Sequence, residues 1–293
     1  MRRWLPLLIL APAVAQAHVL TAAPSAWPGP EPWMLVPMLL AAGLYLVGFL
    51  RLRARSAQGR REHRRRSLIF ALGMATLAGA TLTPLHTLGA RSFTAHMGEH
   101  ELIMLAAAPL LVWSRPLGVL IWAFPTPARQ GLAAVSRSRA ASGLWTILTD
   151  SLVATVLQAA ALWLWHLPSL FDLALKSEGW HAAQHLCFFG AALLFWSAML
   201  APGRSVWTTA ACLFATSMAT GALGAFMAVS QSPWYAPYAA LGLAAFGLSP
   251  TEDQQLAGAL MWVPGGLFHA IVAIVILAPQ LRSAGARPEP NHG

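Results

Sequence analysis

Charge is what this sequence has least of. Only 10% of its 293 residues are charged, against roughly 25% in an ordinary soluble domain. Too few charges remain to cover a water-facing surface, which excludes a soluble globule. Acidic residues are the rarer sign, ten Asp and Glu against nineteen Lys and Arg, for a formal net charge of +9. A basic balance often signals nucleic acid. Here the arginines flank apolar runs, so topology explains them and no nucleic-acid partner is expected. There are two cysteines, Cys187 and Cys212. Both lie within apolar stretches and form no CxxC pair, which excludes a disulfide framework and reads as small core residues. No internal repeat is visible.

What is abundant is hydrophobic sequence, 57% of the chain, in long uninterrupted runs of the kind a bilayer core requires. The expected fold is an all-α, polytopic transmembrane helical bundle. Seven spans are expected at about Trp33–Leu50, Ser67–Pro84, Ala95–Trp113, Trp145–His166, Trp180–Leu200, Val206–Val229 and Gln255–Ala278. Each is long enough to cross a core of ~30 Å at ~1.5 Å per residue. Pro116–Phe124 is too short to span and is expected at the surface. Tyr235–Leu248, bounded by Pro233 and Pro250, reads as a packed loop or interfacial helix. The N-terminus has the pattern of a secretory signal: Arg2 and Arg3, an apolar stretch from Leu5 to Val14, and Ala15-Gln16-Ala17 as an A-x-A cleavage site. The expected organisation is a signal peptide at 1–17, an outer segment at 18–32, a seven-span membrane domain at 33–280 and a disordered cytoplasmic tail at 281–293.

Arginine placement orients the bundle. Arg51, Arg53, Arg55, Arg60, Arg61, Arg64, Arg65 and Arg66 share one loop, and Arg115, Arg129, Arg137, Arg139, Arg204, Arg282 and Arg287 fall on the same side. Only Arg91 and Lys176 fall opposite. By the positive-inside rule the arginine side is cytoplasmic, with the mature N-terminus outside and the C-terminus inside. The Arg51–Arg66 run is also compatible with anionic membrane lipid.

Histidine shows the reverse asymmetry. His18, His86, His96, His100, His166, His181 and His185 fall at or near the outer face, while His63 and His292 are cytoplasmic and His269 lies deep in the last span. Ionisable groups at a membrane are expensive, so this needs a reason. His96-Met97-Gly98-Glu99-His100 stacks two imidazoles at i and i+4, and Met104 continues that face one turn deeper. His181 and His185 repeat the spacing. His166 ends the fourth span at the same level, with Asp172 in the next loop. Asp253 starts the seventh span and Met261 lies two turns below it. Together these residues form a candidate metal site. Imidazole with thioether suits copper, especially Cu(I), whereas zinc needs only His and carboxylate. Met104 and Met261 could equally be core fillers. If cleavage follows Ala17, the free amine of His18 could chelate Cu(II). The span-end tryptophans Trp113, Trp145, Trp163, Trp165, Trp180 and Trp196 read as interfacial belts.

At these residues the chain resembles the multi-pass CtaG-type assembly factors of cytochrome c oxidase. The resemblance rests on His96-Met97…His100, Trp165-His166-Leu167-Pro168…Phe171-Asp172, His181…His185 with Phe195-Trp196, and Asp253-Gln254-Gln255-Leu256-Ala257-Gly258 with Met261-Trp262. Gln184 stands where many members carry Glu. The resemblance implies a non-catalytic role in maturing a haem–copper oxidase by helping copper reach its CuB centre. It further implies the oxidase catalytic subunit and periplasmic copper chaperones as partners, in the bacterial plasma membrane. Two other classes remain open. His96, Glu99 and His100 fit the H-x-x-E-H pattern of a zinc metalloprotease, with Glu99 activating water; on the assembly reading Glu99→Gln should do little. A haem-b electron-transfer protein would use histidines from two helices as axial ligands.

Overall fold

The computed structural model describes residues 31–55 and 59–285. The signal pattern at 1–17, His18, Arg287 and His292 lie outside the described residues. The chain is all-α. Among the described residues, five helices are long and apolar enough to cross a membrane, and up to seven if each of two bent pairs is counted as one span. The elements in order are α1 (Pro32–Arg55), α2 (Arg60–Thr81), α3 (Pro84–Gly89), α4 (Phe93–Glu101), α5 (Ala108–Ser114), α6 (Leu117–Leu120), α7 (Thr126–Arg137), α8 (Arg139–Leu148), α9 (Ser151–Trp165), α10 (Pro168–Lys176), α11 (Glu178–Met199), α12 (Val206–Val229), α13 (Ala236–Ala240) and α14 (Pro250–Gly285). The last runs past Gln280, where a tail was expected.

Three departures from the sequence expectation have physical causes. The expected span Trp145–His166 is two helices, α8 and α9, bent by 67°. Asp150 makes the break: its Oδ1 accepts from the backbone N of Leu152 (3.0 Å) and Val153 (3.2 Å), starting a new helix there. Arg204 donates to the Thr149 carbonyl (2.6 Å), fastening the corner to the start of α12. The span Ala95–Trp113 is interrupted by a π-helical turn at Leu102–Ala107 between α4 and α5. Pro109 explains it, because proline donates no hydrogen bond to the preceding turn. Pro116–Phe124 does not simply lie on the surface. It packs against α1: Val119 is buried, and Arg51 donates to the Ala123 carbonyl at 2.7 Å.

α12 and α14 form the closest helix pair. A Cβ on Gly224 would lie 2.6 Å from the Gly258 carbonyl oxygen and 2.9 Å from the Trp262 N, so only glycine permits the approach. Small residues at such contacts let helices associate where lipid offers no hydrophobic drive. Among the tryptophans, Trp113, Trp145 and Trp180 are exposed, as a belt requires, but Trp196 is buried and donates its Nε1 to the Met104 carbonyl at 2.9 Å. It is a core residue.

Candidate metal centre

At the end of the bundle opposite the arginine-rich loops, α3, α4 and α11 converge on five imidazoles. α4 carries His96 and His100 on one face, with ring centroids 4.5 Å apart, and α11 carries His181 and His185, also 4.5 Å apart. The two pairs meet: His100 and His185 are 5.0 Å apart between centroids, and His96 and His181 5.4 Å. His86, from α3, stacks on His181 at 5.2 Å.

Two overlapping triads result. His96, His100 and His185 each offer a ligand nitrogen within 4.8 Å of the others, and all three are buried; His86, His181 and His185 do the same, with His86 and His181 only partly buried. Ligation at roughly 2.0–2.1 Å needs only modest side-chain movement from such spacings.

Hydrogen bonds set the chemistry of each ring. The Tyr238 hydroxyl donates its one proton to the Gly89 carbonyl (2.5 Å) and lies 3.1 Å from His96 Nδ1. His96 Nδ1 must therefore donate to it, which leaves Nε2 with a lone pair. That Nε2 is buried and has no hydrogen-bond partner, and neither do both nitrogens of His100 nor Nδ1 of His185. A buried polar atom left unpaired costs roughly 1–3 kcal/mol, so four together are a large deficit, of which a cation held by one nitrogen of each ring would offset three. His166 sits to one side. Its Nδ1 donates to the Leu162 carbonyl (2.7 Å), so its Nε2 lone pair faces the Met97 sulfur at 3.4 Å. Phe171 and Phe188 stand between this N,S pair and the triad: Phe171 contacts both His96 and His166, and Phe188 both His100 and His166.

Sequence reading missed two contributors and underrated a third. His86 Nδ1 is bonded to Glu99 Oε1 at 2.8 Å, and its Nε2 lies 3.8 Å from Glu31 Oε1. The His86 ring beside it, with the Trp33 Nε1 that donates to it, holds the Glu31 carboxyl below its ordinary range. Glu99 lies 3.7 Å from His185 Nδ1 as well. The only available signal was the grouping of His86 with the outer-face histidines; Glu31 carried none.

Other expected site residues are placed elsewhere. Asp253 lies outside both triads: Oδ1 accepts from Ser92 Oγ (2.9 Å) and Thr94 N (3.2 Å), and Oδ2 from Phe93 N (2.5 Å). It caps α4 from the start of α14, satisfying donors that a helix N-terminus leaves free. Its neighbours hold a loop, with Trp234 N donating to Gln254 Oε1 (2.6 Å) and Gln255 Nε2 to the Ser230 carbonyl (2.8 Å). Met261 is buried at the α12–α14 contact beside Gly224. Met104 is buried in the π-helical turn. Asp172, on α10, interacts with Lys176 and Tyr235 rather than with the imidazoles, and burial raises its carboxyl above the ordinary range. Gln184 is fully buried among the histidines of α11.

No curated protein and no solved structure matches the chain. The sequence profile of one family, described as cytochrome c oxidase caa3 assembly factor, matches residues 43–283, which hold both triads and the Asp253 cap. Matched over most of its length, the chain belongs to the cytochrome c oxidase caa3 assembly factor (CtaG) family.

Proposed function

We propose that the protein carries Cu(I) at the His96–His100–His185 triad and assists its delivery to the CuB centre of a haem–copper oxidase. The observation that carries this reading is the cluster of four unpartnered, buried imidazole nitrogens. Neutral imidazoles buried away from water suit a soft monovalent ion better than a hard one. The adjacent Met97–His166 pair adds a thioether of the same preference. The partners on this reading are the oxidase catalytic subunit as acceptor and a periplasmic copper chaperone as donor. The histidine end faces outward in a bacterial plasma membrane, by the positive-inside rule.

The two rival chemistries fit the geometry less well. A metalloprotease needs Glu99 free to activate a metal-bound water, but Glu99 Oε1 is bonded to His86 at 2.8 Å. A haem needs a slot between its axial ligands, whereas these rings contact one another and Phe171, Phe188 and Tyr238 directly.

The test is copper per haem in oxidase purified from a deletion strain, its parent and a strain carrying His100→Ala. The deletion and the variant should both yield haem-replete oxidase lacking CuB, with the variant protein still present in the membrane. Ample external copper should partly rescue both by mass action. Equal copper-to-haem ratios in all three strains, or zinc rather than copper in the purified protein, would overturn the reading.

A further inference from the structure

The second triad sits between water and the buried one. His86 and His181 are partly buried and His185 is fully buried, and the same His185 belongs to the inner triad with His96 and His100. Two acidic groups frame the outer triad and neither touches the inner pair by hydrogen bond. Glu99 accepts from His86 Nδ1 at 2.8 Å, which leaves Nε2 as that ring's nitrogen for ligation; Glu31 lies 3.8 Å from that Nε2. A carboxylate holding the far nitrogen of a histidine is the arrangement that orients metal-binding rings. His181 Nε2 and His185 Nε2 share a hydrogen bond at 3.0 Å, so the proton between them moves to the Nδ1 of its own ring when both nitrogens take a cation. The two negative groups also attract a cation from solution, which the neutral inner triad cannot do.

We infer that His86, His181 and His185 form a loading position for Cu(I), framed by Glu31 and Glu99, which passes its ion to the buried triad through the shared His185. The inference rests on the inner triad as the copper site. One ion is held at a time, because both positions need His185 and two cations so close would repel. Transfer is ligand exchange: bonds to His86, His181 and His185 Nε2 break as bonds to His96, His100 and His185 Nδ1 form, and the His185 ring proton moves from Nδ1 to Nε2. No electron moves and the ion stays Cu(I). Ligation by His86 Nε2 releases to water any proton held between it and Glu31.

The experiment mixes detergent-purified full-length protein with a coloured Cu(I)–chelator complex under reducing conditions, following both the rate of transfer and the final occupancy. Wild type should take up one equivalent. His86→Ala and His181→Ala should still take up one equivalent with affinity changed by less than about threefold, but load about tenfold more slowly; Glu31→Gln should load more slowly in the same sense. His100→Ala should keep fast initial uptake and lose about tenfold or more in affinity. Loading at the wild-type rate in His86→Ala and His181→Ala would overturn the relay and leave the buried site standing. Unchanged affinity in His100→Ala, with affinity lost in His86→Ala, would instead remove the buried triad as the copper site. Two equivalents bound by wild type would overturn the one-ion relay.

Discussion

Tyr238 is the residue whose removal reports most directly on how the buried site is tuned. It is 6% exposed, and its hydroxyl joins Gly89 O (2.5 Å) to His96 Nδ1 (3.1 Å). Tyr238→Phe deletes one oxygen and leaves the ring in place, so little cavity forms. Two buried groups lose their partners, at roughly 1–3 kcal/mol each. Part of that is returned because the phenol itself no longer has to be desolvated, leaving a net loss of about 2–4 kcal/mol. The effect on metal is separate. Without an acceptor at Nδ1, His96 no longer favours the tautomer that presents Nε2, and loss of such an orienting partner weakens metal sites about 10–100-fold. The assay is paired: thermal unfolding in detergent, and Cu(I) affinity by chelator competition at a temperature where wild type and variant are both folded. A lower melting temperature with unchanged copper affinity would refute the tautomer argument and reduce Tyr238 to a structural tie. No change in either measurement would refute the hydrogen bonds themselves.

Further predictions follow from individual contacts. Glu99→Gln should slow copper loading, because a neutral amide at the His86 contact orients the ring less strongly; this replaces the sequence expectation of little effect, and loading kinetics check it. Asp253→Ala strips three hydrogen bonds from the start of α4 and should lower stability by about 2–4 kcal/mol, seen as reduced accumulation or a lower melting temperature. Gly224→Leu should disrupt the α12–α14 contact, where even a Cβ meets backbone, costing at least about 3 kcal/mol and preventing stable accumulation in the membrane. The contribution of Glu31 has a defined pH sense. Its folded-state pKa is lowered chiefly by the nearby His86 ring, so its stabilisation is full above about pH 4.5 and is lost as pH falls through the lower folded-state value. Loading measured at pH 7 and pH 6 should therefore show the same Glu31→Gln defect, and a defect that vanished at pH 6 would contradict the assignment.

The spans and the paired histidines were legible because both are written in local spacing. Apolar runs give helices that cross a bilayer, and i,i+4 histidines must share a face. What was not legible depends on residues far apart in sequence. Asp253 was read as a ligand because an acid at a helix start near histidines looks like one; its use as the cap of another helix depends on where Ser92 and Phe93 lie. His86 and Glu31 enter the site from a six-residue helix and from the first described turn, neither of which has a periodic signal. The bend at Asp150 did have a signal, an N-capping residue ahead of an apolar run, but the hydrophobic stretch continues through it and hid the corner. The π-helical turn likewise had Pro109 as its mark.

The Asp253 cap also constrains the order in which the molecule can be made. Phe93 and Asp253 are 160 residues apart, and Asp253 lies in the first turn of α14, which leaves the ribosome after the other described helices. Until that helix is inserted, the first turn of α4 keeps unpaired donors at its start, and His96 and His100 hang from a frayed helix end. Tyr238, which sets the His96 ring, lies on α13, just ahead of α14. The histidine centre is therefore completed only once α13 and α14 have joined the earlier helices. A chain truncated before them presents histidines without a formed binding pocket, so metal capture is coupled to their insertion.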